Sequence, residues 1–153
     1  MRRRTAVSLI AASLVFGCVR QPAPVAEPGM EWFLTPDVPK LALGRGEGTD
    51  DVLMMMECRP KSGGVDLAVL APAAPRRRVE IASGPAASSF AAKIEPNEAG
   101  DGVIVEARAD AGDPTLVRFA KTGELAVGVG GGRAALPTAK PAQITAFLAA
   151  CRR

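Results

Sequence analysis

Few side chains here are equipped for acid–base or nucleophilic chemistry, and their spacing decides among them. The chain has no histidine and no tyrosine, which removes the commonest general base and the commonest metal ligand. No Ser–His or Cys–His pair can be assembled from it. Ser89 and Lys93 stand four apart in Ser89-Phe90-Ala91-Ala92-Lys93, a spacing that would form a Ser–Lys dyad on a helix. Residues 88–94 read as a strand, where that spacing separates the two, so no catalysis is expected from them. Glu47, Asp50 and Asp51 fall in the glycine-rich run 44–51. They lack the alternating Asp-x-Asp-x-Asp order of a calcium loop and read as a solvated acidic turn. The cluster Gly128-Val129-Gly130-Gly131-Gly132 has no following Lys-Ser/Thr and no helix, so it reads as a hairpin turn, neither a phosphate loop nor a dinucleotide fingerprint. No cofactor or metal is expected.

Arg76-Arg77-Arg78 is the one dense cationic feature of the middle of the chain. Three adjacent charges on a loop can meet lipid phosphate or an acidic polymer, each contributing about 1 kcal/mol at best near an anionic surface. The bland alternative is a soluble loop.

The elements that must position these residues are short and β-like. Residues 31–34 form a strand stopped by Pro36 and hold the single tryptophan, Trp32; residues 40–43 form a second. In Val52-Leu53-Met54-Met55-Met56-Glu57-Cys58, Val52, Met54, Met56 and Cys58 share one face, and Leu53, Met55 and Glu57 the other. Both faces are mostly apolar, as in an interior strand with methionines filling an irregular core. Helix competes, but Gly48, Pro60 and Gly63-Gly64 leave little room for one. Lys61-Ser62-Gly63-Gly64 reads as a hairpin turn into the alternating strand 65–70. Further strands are expected at 79–82, 88–94 and 102–108. Asp113-Pro114-Thr115 reads as a turn or a helix start leading to Phe119. Gly123 opens a strand that pairs through the glycine turn with residues 133–136. At the C-terminal end Pro141 suits a helix first turn, and Ile144, Phe147, Leu148 and Cys151 follow at i, i+3, i+4 and i+7. Arg152 and Arg153 suit the dipole at its end. Eight or nine strands at intervals of about ten residues, with a closing helix, predict an all-β fold: a small antiparallel sandwich or partly open barrel.

The first part of the chain stands apart. Arg2-Arg3-Arg4 precedes an apolar run over 6–16, too short to span a hydrocarbon core as a helix. It ends in Leu14-Val15-Phe16-Gly17-Cys18, which resembles a bacterial lipobox, with Phe16 larger than the small residue usual there. The resemblance implies cleavage before Cys18, a diacylglyceryl group on Cys18 and residence in the cell envelope facing the periplasm. Val19 after the cysteine favours the outer membrane. The expected organisation is a signal peptide at 1–17, a lipidated cysteine and Pro-rich tether at 18–29 (Pro22, Pro24 and Pro28) and one domain at 30–153.

With Cys18 assigned to the lipid, Cys58 and Cys151 remain as one intramolecular bridge between strand and closing helix. That use of both thiols also leaves no zinc ligand set. Closing a loop of about ninety residues would constrain the unfolded chain by about 4–5 kcal/mol on the chain-entropy view. Of 19 Lys+Arg against 16 Asp+Glu, three arginines lie in the leader, so the mature chain is formally neutral. That removes any overall attraction to nucleic acid.

Trp32, Cys58 after a hydrophobic strand, Asp113-Pro114 with Phe119 and Gly123, and Leu136-Pro137 before a helix ending in Cys151-Arg152 are similar to a loose group of small alphaproteobacterial envelope proteins. That resemblance implies fold and compartment only. The architecture also resembles the membrane-bound inhibitors of C-type lysozyme, whose C-terminal signature uses Tyr and Trp; here Tyr is absent and Trp32 lies at the other end. The expected function is a non-catalytic envelope lipoprotein that binds another envelope protein or a wall polymer. The alternatives are an inhibitor of a lysozyme-like or protease hydrolase, and a hydrolase using paired carboxylates.

Overall fold

Val65, Leu67 and Val69 alternate with Asp66, Ala68 and Leu70 along β4 (Gly64–Ala71), and this alternation sets which way the sheet faces. The first set is fully buried; the second is exposed or half-buried. A like alternation runs through β2 (Lys40–Gly44), β5 (Arg78–Ser83) and β7 (Val103–Asp110); β6 (Ala86–Pro96) alternates between half-buried and exposed, while β1 (Glu31–Thr35) buries Trp32 alone and β3 (Val52–Glu57) departs from it at Leu53. The computed structural model describes residues 23–35, 37–47, 51–74 and 76–152. The leader at 1–17 and the lipidation site Cys18 lie outside the described residues.

The nine strands, completed by β8 (Ala126–Gly128) and β9 (Arg133–Ala135), form one antiparallel sheet in the order β1-β2-β3-β4-β7-β6-β5-β8-β9, curled into a half-barrel. After β4 the chain crosses to β5, and β6 and β7 step back until β7 pairs with β4. The long strand β6 serves two neighbours in turn, pairing with β5 over Ala86 to Ala91 and with β7 over Ala92 to Pro96.

Two helices cover the inner face. The sequence points outright only to the one at the C-terminus; residues 113–119, which read as turn or helix start, form α1 (Pro114–Thr122). Its start is well specified. Asp113 accepts from Thr115 N–H at 2.9 Å and Leu116 N–H at 3.4 Å, and Pro114 occupies the first turn. Its end is Gly123, at φ 73°, whose N–H returns to the Phe119 carbonyl. A Cβ on Gly123 would lie 2.2 Å from the Ala139 carbonyl oxygen, so the site excludes side chains on two grounds. The following strand is shorter than the sequence indicates and covers Ala126–Gly128 alone, with Glu124 and Leu125 left in the connection from α1. The glycine turn between β8 and β9 is a hairpin, as read from the sequence.

Helix α2 (Pro141–Cys151) buries Ile144, Phe147, Leu148 and Cys151, the stripe expected from its spacing. Cys151 is bonded to Cys58, just past β3, with Cα atoms 5.7 Å apart across 93 residues of sequence. The helix is thereby fixed to the sheet. Leu41, Leu43, Met54, Met56, Leu67, Val69 and Val105 lie beneath the helices, with Trp32 and Phe119 in ring contact at 5.4 Å. Leu53, assigned to the opposite face, is also buried; the register shifts at Leu43/Gly44 opposite the start of β3, and a bulge there turns Leu53 out of strict alternation. Packing begins within the segment read as tether: Pro24 is buried, and Glu27 pairs with Arg45.

Candidate functional site

The outer face of β3, β4, β7 and β6 carries side chains that no single strand reveals as a group. Antiparallel registers align them in two rows. Lys40, Glu57, Asp66 and Arg108 stand opposite one another in succession across β2, β3, β4 and β7. In the adjacent row, Ala42, Met55, Ala68, Glu106 and Lys93 do the same across β2, β3, β4, β7 and β6. The first row reads plus, minus, minus, plus. Directly opposed like charges destabilise a strand pair; Glu57 and Asp66 are such a pair, flanked by a cation on each side.

These rows line an open groove of about 780 Å³. Met55, Ala68 and Ala91 give it an apolar floor, and Glu57, Asp66, Arg108, Glu106, Lys93 and Arg59 give it charged sides. Arg108 donates to Asp66 at 2.7 Å, with both side chains more than half exposed. A pair so open to water adds little stability, about 0.2–1 kcal/mol. Its value is orientation, because it holds the guanidinium across the groove. A second recess of about 650 Å³ opens beside it, between the β3–β4 turn and the end of α2, and shares Arg108. Arg152 closes that recess by donating from Nε to the Ala111 carbonyl.

The residues singled out from sequence fall elsewhere. Ser89 and Lys93 lie on β6, both exposed; four residues of strand separate them by about 13 Å, so they form no dyad. Lys93 instead stands opposite Glu106 in the groove. Asp50 lies outside the described residues, Glu47 is exposed, and Asp51 pairs with Arg45 at 3.3 Å. Among the described residues no group of three or more Cys, Asp or Glu is placed to hold a metal. Arg76, Arg77 and Arg78 are exposed where the chain enters β5, and the Arg77 carbonyl accepts from Ala92 N–H at 3.0 Å.

One polar cluster went unread in the sequence. Ser88 donates to the Asp113 carboxylate at 2.9 Å and lies 2.8 Å from Thr115 Oγ1. Thr115 is fully buried, and Asp113 is already the cap of α1. The cluster therefore fastens β6 to α1. No protein-family model, curated protein or solved structure gives a significant match to this chain.

Proposed function

We propose that the chain is an envelope lipoprotein, acylated at Cys18 and facing the periplasm, whose β domain is a non-catalytic binding module for a polypeptide partner. The groove over β3, β4, β7 and β6 carries this reading. Its floor is apolar and its sides carry both signs of charge, a combination that suits an extended peptide with alternating side chains better than a neutral glycan. Among its carboxylates, Asp66 is held by Arg108 and open to water, which supports recognition over acid–base catalysis. The Cys58–Cys151 bridge is compatible with an oxidising compartment, and together with the lipobox-like Leu14-Val15-Phe16-Gly17-Cys18 it supports export.

The test is a photoreactive benzoylphenylalanine placed at Ala68 in cells, with Glu124 as a control position outside the groove. A protein adduct that forms from Ala68, fails from Glu124 and disappears with Cys18→Ala is the expected result. Labelling of wall sugars alone would replace the peptide with a glycan, and no adduct from Ala68 would remove the groove from consideration. Intact mass of the membrane-extracted protein, reduced and unreduced, reads the leader cleavage, the acyl group and the disulfide in one measurement.

A further inference from the structure

We infer that the polypeptide partner of the groove is a second copy of this chain, which lays the outer face of its β1 and β2 over that of β3 and β4 and seats Phe33 on Ala68. The inference rests on the groove being a recognition surface and names what occupies it.

The outer-face row that ends at Lys93 begins on β1. Phe33 stands opposite Ala42, Ala42 opposite Met55, and Met55 opposite Ala68. Trp32, on the other side of β1, is buried in ring contact with Phe119. Phe33 therefore points outward, and it is only half-buried. Large and small side chains alternate along this row. A twofold axis parallel to the strands, placed between β2 and β3, lays the row on itself in reverse order. Phe33 then meets Ala68 of the second copy, and Met55 meets Ala42. Each large side chain lands on a small one. Sheets packed face to face lie about 10 Å apart with strands within about 30° of each other, close enough for these side chains to touch.

The charged row reverses about the same axis. Lys40 and Glu57 are opposed across β2 and β3, so each meets the other type on the second copy, and Thr35 meets Asp66. Among the described residues neither Lys40 nor Glu57 takes part in an ion pair, and both are half-buried. Lys40 of the second copy also approaches the like-charged neighbours Glu57 and Asp66, which relieves their repulsion. Beyond this row the β1–β2 turn, with exposed Asp37 and Val38, falls over the β3–β4 turn, with exposed Arg59 and Lys61. Arg108, already bonded to Asp66, stands at the rim beside the edge strand β1 of the second copy. At the far end of the strands Glu31 faces Leu70, and the β2–β3 turn with Glu47 and Asp51 faces itself, so the contact is confined to the Lys40 end. An axis across the strands instead sets Lys40 and Glu57 against Ala42 and Met55, or each against its own kind, and both arrangements are unfavourable.

Four strands by two or three rows make a contact about 19 Å wide and about 14 Å tall, less than half of the roughly 800 Å² a side of a standard interface. Copies free in solution would mostly separate. Copies anchored on one membrane meet at a local concentration that populates a weak contact.

Benzoylphenylalanine in place of Phe33, in the full chain in cells, tests this. The expected product has twice the mass of the chain and joins position 33 to residues 66–70 of a second copy. Lys40→Glu or Glu57→Lys alone should lower its yield about tenfold, because two attractive pairs become two repulsive ones. The double variant Lys40→Glu, Glu57→Lys should restore it. An adduct that maps elsewhere on the second copy, a yield indifferent to the single changes, or no rescue by the double variant would overturn the proposal. A photoreactive Ala68 that captures a different protein would also overturn it and leave the groove as a recognition surface. No adduct from either position would remove both.

Discussion

The indole N–H of Trp32 donates to the carbonyl of Pro137 at 2.7 Å, joining the first strand to the segment that follows the last. The half-barrel is open between β1 and β9, and this side-chain bond, with the Trp32–Phe119 ring contact beneath it, spans the opening where no backbone ladder does. Trp32→Phe should keep most of the packing and lose the donor, leaving the Pro137 carbonyl unpaired. The expected cost is about 1–3 kcal/mol, read by urea denaturation; an unchanged midpoint would mean the bond contributes nothing to closure.

The Cys58–Cys151 bond closes a 93-residue separation, most of the folded domain. The double variant Cys58→Ser, Cys151→Ser should lose about 4–5 kcal/mol on the chain-entropy view, a large share of the 5–15 kcal/mol typical of a domain. Comparing urea unfolding of the wild type with and without reductant checks this independently of the substitutions.

Asp113 caps α1 and also receives Ser88. Asp113→Ala should cost about 1–2 kcal/mol from the cap alone and should loosen α1 from β6. Hydrogen exchange would then rise over 114–122 before the rest of the fold opens. Ser88→Ala should cost less and leave the helix amides protected.

At Gly123, alanine meets both a positive φ and the Ala139 carbonyl. Gly123→Ala should lower stability by more than about 1 kcal/mol, while Gly100→Ala, with no heavy atom nearer than 3.5 Å and no positive φ, should be close to neutral by thermal denaturation.

Arg108→Ala separates stability from binding. The Arg108–Asp66 pair is exposed on both sides, so its loss should change unfolding by less than about 1 kcal/mol. The adduct formed from a photoreactive residue at Ala68 should nevertheless fall sharply, because the guanidinium no longer crosses the groove. An adduct of undiminished yield would show that Arg108 takes no part in recognition.

Local patterns in the sequence were enough to place most strands and the buried stripe of α2, because alternation and i, i+3, i+4 spacing depend only on near neighbours. Cys58 and Cys151 could be paired from the sequence once Cys18 was assigned elsewhere. Helix α1 stayed ambiguous over 113–115, since a proline after aspartate starts turns and helices alike, and only docking against β6 through Ser88, Asp113 and Thr115 resolves it. The groove could not be read at all. Glu57, Asp66, Glu106, Lys93 and Arg108 come from four strands, and what gathers them is the crossover that puts β7 beside β4. Strand order is settled by how the whole sheet buries its inner face, a long-range packing energy that leaves no mark on any one strand's residues.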